Sequence, residues 1–247
     1  MFLRPFFSFY GSKYQACRQR LYPSPLHSTI VEPFAGAAGY SVNNFRRNVV
    51  LFDIDPIIYG IWHYLIHVKA SEIRALPKTI ECVDDVRAPQ EALWLIGFWL
   101  GRGGSSPRSK PTPWMKNRLS GQNFYWGDYV RGMIAHQLKY IRHWKVYHAS
   151  YKLCHNREAS WYIDPPYQNP AGRHYKHNKI DFDHLGDWCR RRKGQVIVCE
   201  GRDADWLPFR PLKKLNATVK KGGVSKKSQE VVWIKTDRHT GFKNLWL

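Results

Sequence analysis

Five short runs of apolar, mostly β-branched and aromatic residues constrain the fold of this chain more than any other feature. They are Ile30-Val31, Val49-Val50-Leu51-Phe52, Trp161-Tyr162-Ile163, Val196-Ile197-Val198-Cys199 and Val231-Val232-Trp233-Ile234. A strand that is apolar on successive residues has no solvated face, so it belongs to a sheet covered on both sides. Helical patterns fall between the runs. They predict helices over 36–47, 57–68 and 181–192, the last ending in the basic run Arg190-Arg191-Arg192-Lys193 before Gly194. Strands alternating with helices predict a Rossmann-like, doubly wound α/β sheet. The last two runs lie close together, and an antiparallel pair at the sheet's edge is expected there.

One stretch breaks the rhythm. Roughly a hundred residues separate the second run from the third, where a crossover needs only a dozen or more. Residues 75–147 are therefore expected to form an inserted small, mainly helical basic lobe, the core being built from 1–74 and 148–247. From Arg102 to Lys152 there are ten Lys/Arg against one acid, Asp128, with Trp114, Phe124, Tyr125, Trp126, Tyr129 and Trp144 interleaved. The pattern predicts a helix from Asp128, as N-cap, to Trp144, with Val130, Ile134, Leu138 and Ile141 as an apolar stripe and Arg131, Lys139 and Arg142 beside it. A single helix of this kind is ordinarily packed with a solvated basic face. The charge of the whole segment tilts the reading towards a DNA-facing surface. Arg102, Arg108, Lys116, Arg118, Arg131 and Arg142 are the candidate contacts. Whether some of these, or Asn117, Gln122 and Asn123, read bases or grip phosphates stays open.

The whole chain carries 39 Lys+Arg against 19 Asp+Glu, a formal charge of +20. That surplus favours a polyanionic partner, since phosphate contacts release counterions. An anionic membrane is the competing partner, but the sequence has no apolar stretch of about 18 residues and opens without a signal-peptide pattern. A soluble, cytoplasmic protein without membrane attachment is expected. Five scattered cysteines with no C-x-x-C fit reduced thiols. His63 and His67 are spaced like helical metal ligands, and His174 and His177 lie close together, but no further ligand completes either pair. No metal is expected.

Two strings remain. Ile30-Val31 runs into Glu32-Pro33-Phe34-Ala35-Gly36-Ala37-Ala38-Gly39, a strand breaking into a glycine-rich turn that opens a helix, the geometry that cradles nucleotide-like ligands. Asp53 follows about twenty residues on, where a carboxylate can accept both hydroxyls of a ribose. Asp55, with Pro56 after it, reads more simply as a helix N-cap. The second string, Trp161-Tyr162-Ile163-Asp164-Pro165-Pro166-Tyr167, is a strand ending in a carboxylate, two prolines that restrict the backbone, and an aromatic ring.

In this order the two strings resemble the halves of a Dam-type, alpha-ordered DNA adenine-N6 methyltransferase. Phe9-Tyr10-Gly11-Ser12-Lys13-Tyr14 resembles that family's opening aromatic-x-Gly-Gly-Lys motif, with Ser12 in place of the second glycine. The resemblance implies S-adenosylmethionine as donor, contacted by Phe9, Lys13, Phe34, Gly36, Asp53 and Asp164. It implies double-stranded DNA as partner, and leaves open a cognate restriction endonuclease and a bacterial or phage origin. Asp164, Pro165, Pro166 and Tyr167 would be catalytic. The Asp164 carboxylate and the Pro165 carbonyl can each accept an N–H of the adenine amine, while Tyr167 offers a face to an extruded base. The family's residue against the donor's adenine ring has no clear match in Ala149-Ser150-Tyr151. Ser225-Lys226-Lys227-Ser228-Gln229-Glu230-Val231 resembles a late family motif and equally an exposed edge hairpin. Tyr175 and Asn178, in the polar stretch after the tip, are candidates for contact with the flipped nucleotide or its phosphate. Rival readings are cytosine-N4 transfer, methylation of RNA or a protein amide, and an inactive DNA-binding module on the same fold.

Overall fold

The computed structural model describes residues 1–101, 103–113, 125–212, 220–221, 224–225 and 230–236. Its strands are β1 (Thr29–Glu32), β2 (Asn48–Asp53), β3 (Lys145–His148), β4 (Ala159–Ile163), β5 (Gly194–Gly201), β6 (Arg210–Pro211), β7 (Lys220–Lys221), β8 (Val224–Ser225) and β9 (Glu230–Lys235). Seven of them make one sheet in the order β3-β2-β1-β4-β5-β9-β6, and β7 pairs with β8 separately. From β3 to β5 all neighbours are parallel; β9 runs antiparallel to both β5 and β6. The expected antiparallel end is present, with the two-residue β6 outside it.

All five apolar runs are strands; the first four are buried on both faces for the expected reason, while in the fifth, β9, Val232 is buried and Ile234 is exposed. Ile30, Val49, Leu51, Tyr162, Ile197 and Cys199 join one core, while Val31, Val50, Phe52, Trp161, Ile163, Val196 and Val198 join another across the sheet. The first core is covered by α1 (Tyr14–Arg18), α2 (Gly39–Asn43), α3 (Pro56–His67), α4 (Ala70–Ala75), α5 (Gln90–Trp99) and α6 (Asp128–Gln137). The second is covered by α7 (Phe182–Arg190) through Leu185, Trp188 and Cys189. The sheet is thus a Rossmann-like, doubly wound α/β sheet. Strand order reverses between β1 and β4, and ligands of such sheets bind at the carboxyl ends beside that switch point.

Several boundaries differ from expectation. The helix read over 36–47 shrinks to Gly39–Asn43, because Gly36 (φ +44) and Ala38 (φ +47) adopt left-handed backbone that keeps the turn open. The helix read from Asp128 to Trp144 ends at Gln137 and tightens into a 3₁₀ turn, Leu138–Tyr140. Its N-cap is Gly127, and Asp128 instead lies in the first turn, paired with Arg131. The apolar stripe is as read: Val130, Ile134, Leu138 and Ile141 are all buried. Burial of one such side chain contributes about 1.5–3 kcal/mol. Together they outweigh the roughly 1 kcal/mol that Gly132 costs a helix interior.

The inserted segment is less separate than its composition implies. Ala92, Leu95, Ile96 and Phe98 of α5 and the stripe of α6 pack into the same core as Ile58, Ile61, Trp62 and Leu65 of α3. Its described helices close the main core rather than build a second one. The segment also ends inside the sheet, since β3 begins at Lys145 and pairs with β2.

Among the described residues, no helix is long and apolar enough to cross a membrane. All five cysteines are free thiols. The His63 and His67 rings pack 4.5 Å apart, and no group of three metal-ligating side chains forms among the described residues.

Candidate active site

A cavity of about 480 Å³ opens at the carboxyl ends of β1, β2 and β4, within the size range of small-ligand sites. Its walls come from the loop 9–13, the turn 32–39, residues 53–55 and 149–152, Asp164 with Pro166, and the segment 175–181. The two strings recognised in the sequence, some 130 residues apart, therefore face one space.

The glycine-rich turn shapes one side. Gly36 sits under the Phe9 ring, where a β-carbon would come within 3.3 Å, and its carbonyl accepts from Trp62 Nε1 at 2.8 Å. A β-carbon at Gly39 would lie 2.6 Å from the Tyr14 nitrogen, so glycine lets α2 abut the chain entering α1. Asp53, the last residue of β2, accepts from Gly36 N at 3.0 Å and Asp55 N at 2.9 Å. Burial, opposed by those two amides, raises its carboxyl to about 6. A carboxylate offers about four acceptor sites, so two further donors can be taken. Asp55 accepts from Ile57 N at 2.9 Å with Pro56 behind it, the N-cap role read from sequence. Phe34 stacks on Tyr151 at 5.4 Å, and Tyr151 Oη meets His184 Nδ1 at 2.8 Å.

The other side is the tip of β4. Asp164 is paired with Lys13 at 3.1 Å. Lys13 Nζ also donates to the Gly11 carbonyl at 2.8 Å, lies 3.7 Å from Glu230 and sits 4.8 Å from the centre of the Tyr167 ring. Lys13 is only 6% exposed, unlike an ordinary surface lysine. Burial pulls its ammonium down, but Asp164, Tyr167 and Glu230 more than offset that and hold it well above its usual range. Burial raises Asp164 to about 6 against the pull of Lys13. At neutral pH the pair is thus an ammonium and a carboxylate. Glu230, at the start of β9, also accepts from Tyr22 Oη at 2.8 Å, which carries the network into the adjoining core.

The sequence-predicted residues sort by place. Phe9, Lys13, Phe34, Gly36, Asp53, Asp164 and Pro166 all line the cavity. Tyr167 stands behind, against Lys13. Tyr175 lines the cavity too, its hydroxyl donating to the Tyr10 carbonyl at 3.2 Å and its ring 5.9 Å from that of Phe9. Gly11 (φ +71) makes room for it, since a β-carbon there would lie 2.2 Å from that hydroxyl.

The basic candidates are scattered. Arg131 donates to the carbonyls of Arg74, at 2.6 Å, and Leu76, at the end of α4. Arg142 donates to those of Ile66 and Val68, at the end of α3. Both guanidiniums satisfy open helix ends, Arg131 half-buried and Arg142 at an exposed position. Arg108 is exposed, its side chain running across Gly101. Arg102, Lys116, Asn117, Arg118, Gln122 and Asn123 lie outside the described residues.

Glu32 was legible only as part of the turn string. It ends β1, is 2% exposed and accepts from Ser41 N at 2.7 Å. Burial raises it to about 8, so it lines the cavity as a neutral acid at pH 7. Its signal was a carboxylate closing an otherwise apolar strand.

No protein-family model and no curated protein matches the chain. Among solved structures, a Haemophilus influenzae protein provisionally assigned as a methylase aligns over 91% of this chain and 88% of its own, at 9% identity and a TM-score of 0.36.

Proposed function

We infer that the protein is an S-adenosylmethionine-dependent DNA methyltransferase acting on N6 of adenine in duplex DNA. The observation that carries the reading is that Asp164, at the proline-stiffened tip, opens on the same cavity as the glycine-rich turn and Asp53. The residues fit the donor: Asp53 keeps acceptor capacity for ribose hydroxyls, Gly36 leaves the turn bare, and Phe9 and Phe34 supply apolar walls. When bound, S-adenosylmethionine supplies a methyl group already activated by its sulfonium.

The rest of the work falls to the chain. Asp164, ionised at neutral pH, accepts one N–H of the target amine, and the Pro165 carbonyl accepts the other. Both draw the nitrogen towards tetrahedral geometry as positive charge develops. Tyr167 offers a stacking face for a base taken out of the duplex. Lys13 keeps Asp164 ionised in a buried site. The +20 charge favours a polyanionic substrate. The rival N4-cytosine reading is disfavoured by an aspartate, rather than a serine, before the two prolines. Incubation with duplex DNA and labelled donor, followed by digestion to nucleosides, is expected to yield N6-methyladenine. N4-methylcytosine, or label only in RNA or protein acceptors, would overturn the assignment.

A further inference from the structure

β5 is buried along its whole length, yet carries a carboxylate, Glu200, next to its carboxyl end. Glu200 is 0% exposed. Its Oε1 accepts from the backbone N–H of Gln168 at 2.6 Å, and its Oε2 accepts from the N–H of Gly201. Gln168 is the residue directly after the Asp164–Tyr167 tip. Two glycines tighten the same contact. A β-carbon at Gly201 would lie 2.0 Å from Asn169 Nδ2 and 3.2 Å from the Tyr167 ring, and one at Gly172 would lie 1.9 Å from the Tyr167 carbonyl oxygen. Asn169 in turn accepts from Ala171 N at 3.0 Å and starts the 3₁₀ turn Pro170–His174.

An apolar side chain at 200 would pack as well in the strand, but it would leave the Gln168 amide without its partner. One carboxylate oxygen is thus spent on the backbone just past the tip and the other on the strand's own Gly201, not on solvent. We propose that Glu200 is a positioning residue for the acceptor tip. Through the Gln168 amide, with Gly201 and Gly172 leaving room, it fixes the Tyr167 ring against Lys13 and beside Asp164, where a target base is to stack. The assignment rests on the methyltransferase reading and adds to it a residue that touches neither donor nor base.

Hydrogen exchange and kinetics on the full chain test it, with Glu200→Ala, Glu200→Gln and Gly201→Ala. In Glu200→Ala, exchange in peptides spanning 165–175 should rise by about tenfold, as for loss of one ordinary hydrogen bond, while peptides of β1 and β2 stay unchanged. The kcat on duplex DNA should fall by about 100-fold, the scale of a misplaced reacting group, with calorimetric affinity for S-adenosylmethionine unchanged. Glu200→Gln keeps an acceptor for Gln168 and should fall between Glu200→Ala and wild type. Gly201→Ala keeps the carboxylate but pushes Asn169 aside, so it should reach the same defect by another route and does not depend on Glu200→Ala folding. Unchanged exchange over 165–175, or donor affinity lost in step with kcat, would overturn the proposal. If the wild type transfers no methyl group at all, the methyltransferase reading falls and the exchange contrast alone decides the clamp.

Discussion

Asp53 and Asp164 close neighbouring parts of one crevice, each at the carboxyl end of a parallel strand, and burial lifts both to about 6. Their partners differ. Asp53 is held by two backbone amides, Gly36 of the turn it faces and Asp55 two residues on in its own loop. Asp164 is held by one side-chain cation, Lys13, brought from the N-terminal loop. Backbone amides are placed by the local fold, so they hold a carboxylate without a side-chain partner. That lysine is shared with Glu230 and the Tyr167 ring. On the proposed function, the contrast is between an anchor for the donor and an acceptor at the reacting atom.

The largest effect is expected from Asp164→Ala. Losing the acceptor at the amine should lower turnover by about 10³-fold or more. Circular dichroism should remain that of the wild type, and substantial residual turnover would remove the acid from the mechanism. Next comes Lys13→Met, which leaves Asp164 buried without its cation. Its carboxyl should rise further, and the acid limb of the pH–rate profile, near 6 in the wild type, should move to higher pH. Lys13→Arg should restore part of the shift. An unmoved limb would show that Lys13 acts on something other than Asp164.

Asp53→Ala should show the opposite division. Donor affinity, read by calorimetry, is expected to weaken by about 1–3 kcal/mol as acceptors for the ribose are lost, with kcat at saturating donor largely kept. Equal loss from both would erase the distinction between anchor and acceptor.

The pH dependence sharpens the pair. In both aspartates the folded value, about 6, lies above the reference of 3.8, so between those values the folded state holds more protons than the unfolded. Their contribution to stability is full below about 4 and declines as pH rises through 6. The proposed activity, in which Asp164 accepts as a carboxylate, should decline in the other direction. Transfer should therefore fade below pH 6 without any loss of melting temperature traceable to these two groups. Melting curves of Asp53→Asn and Asp164→Asn across pH 4–8 check the sign. The smallest effect belongs to Tyr175→Phe, which removes the hydroxyl held by the Tyr10 carbonyl. It should cost roughly 1 kcal/mol in stability and little in turnover, as measured by thermal unfolding and initial rates.

Much of the architecture could be read in advance because both-sided burial leaves a local mark. A run such as Val196-Ile197-Val198-Cys199, short and β-branched, reads as an interior strand, and its neighbours in the sheet add no new requirement. β3 left no such mark. Lys145, Tyr147 and His148 are exposed at the sheet's edge, and only pairing with β2 makes the segment a strand. The basic segment depends on the tertiary structure in another way. Arg131 and Arg142 count as surface charge in composition, yet each caps a helix 50 to 80 residues earlier in the chain. Which cations remain for a partner depends on where those carbonyls lie.

The sequence by itself determined the buried strands of the doubly wound sheet, the glycine turn, the Asp55 cap and the Asp164 tip, because each leaves its mark in a local run of residues. Only the tertiary structure decided that Lys13 pairs with Asp164, that burial in the cavity wall raises the Glu32 carboxyl, and that Glu230 and Glu200 reach the tip. Those facts are electrostatic and depend on burial and on distances between remote strands. A charge's partner, and the cost of hiding it from water, exist only once the chain has folded.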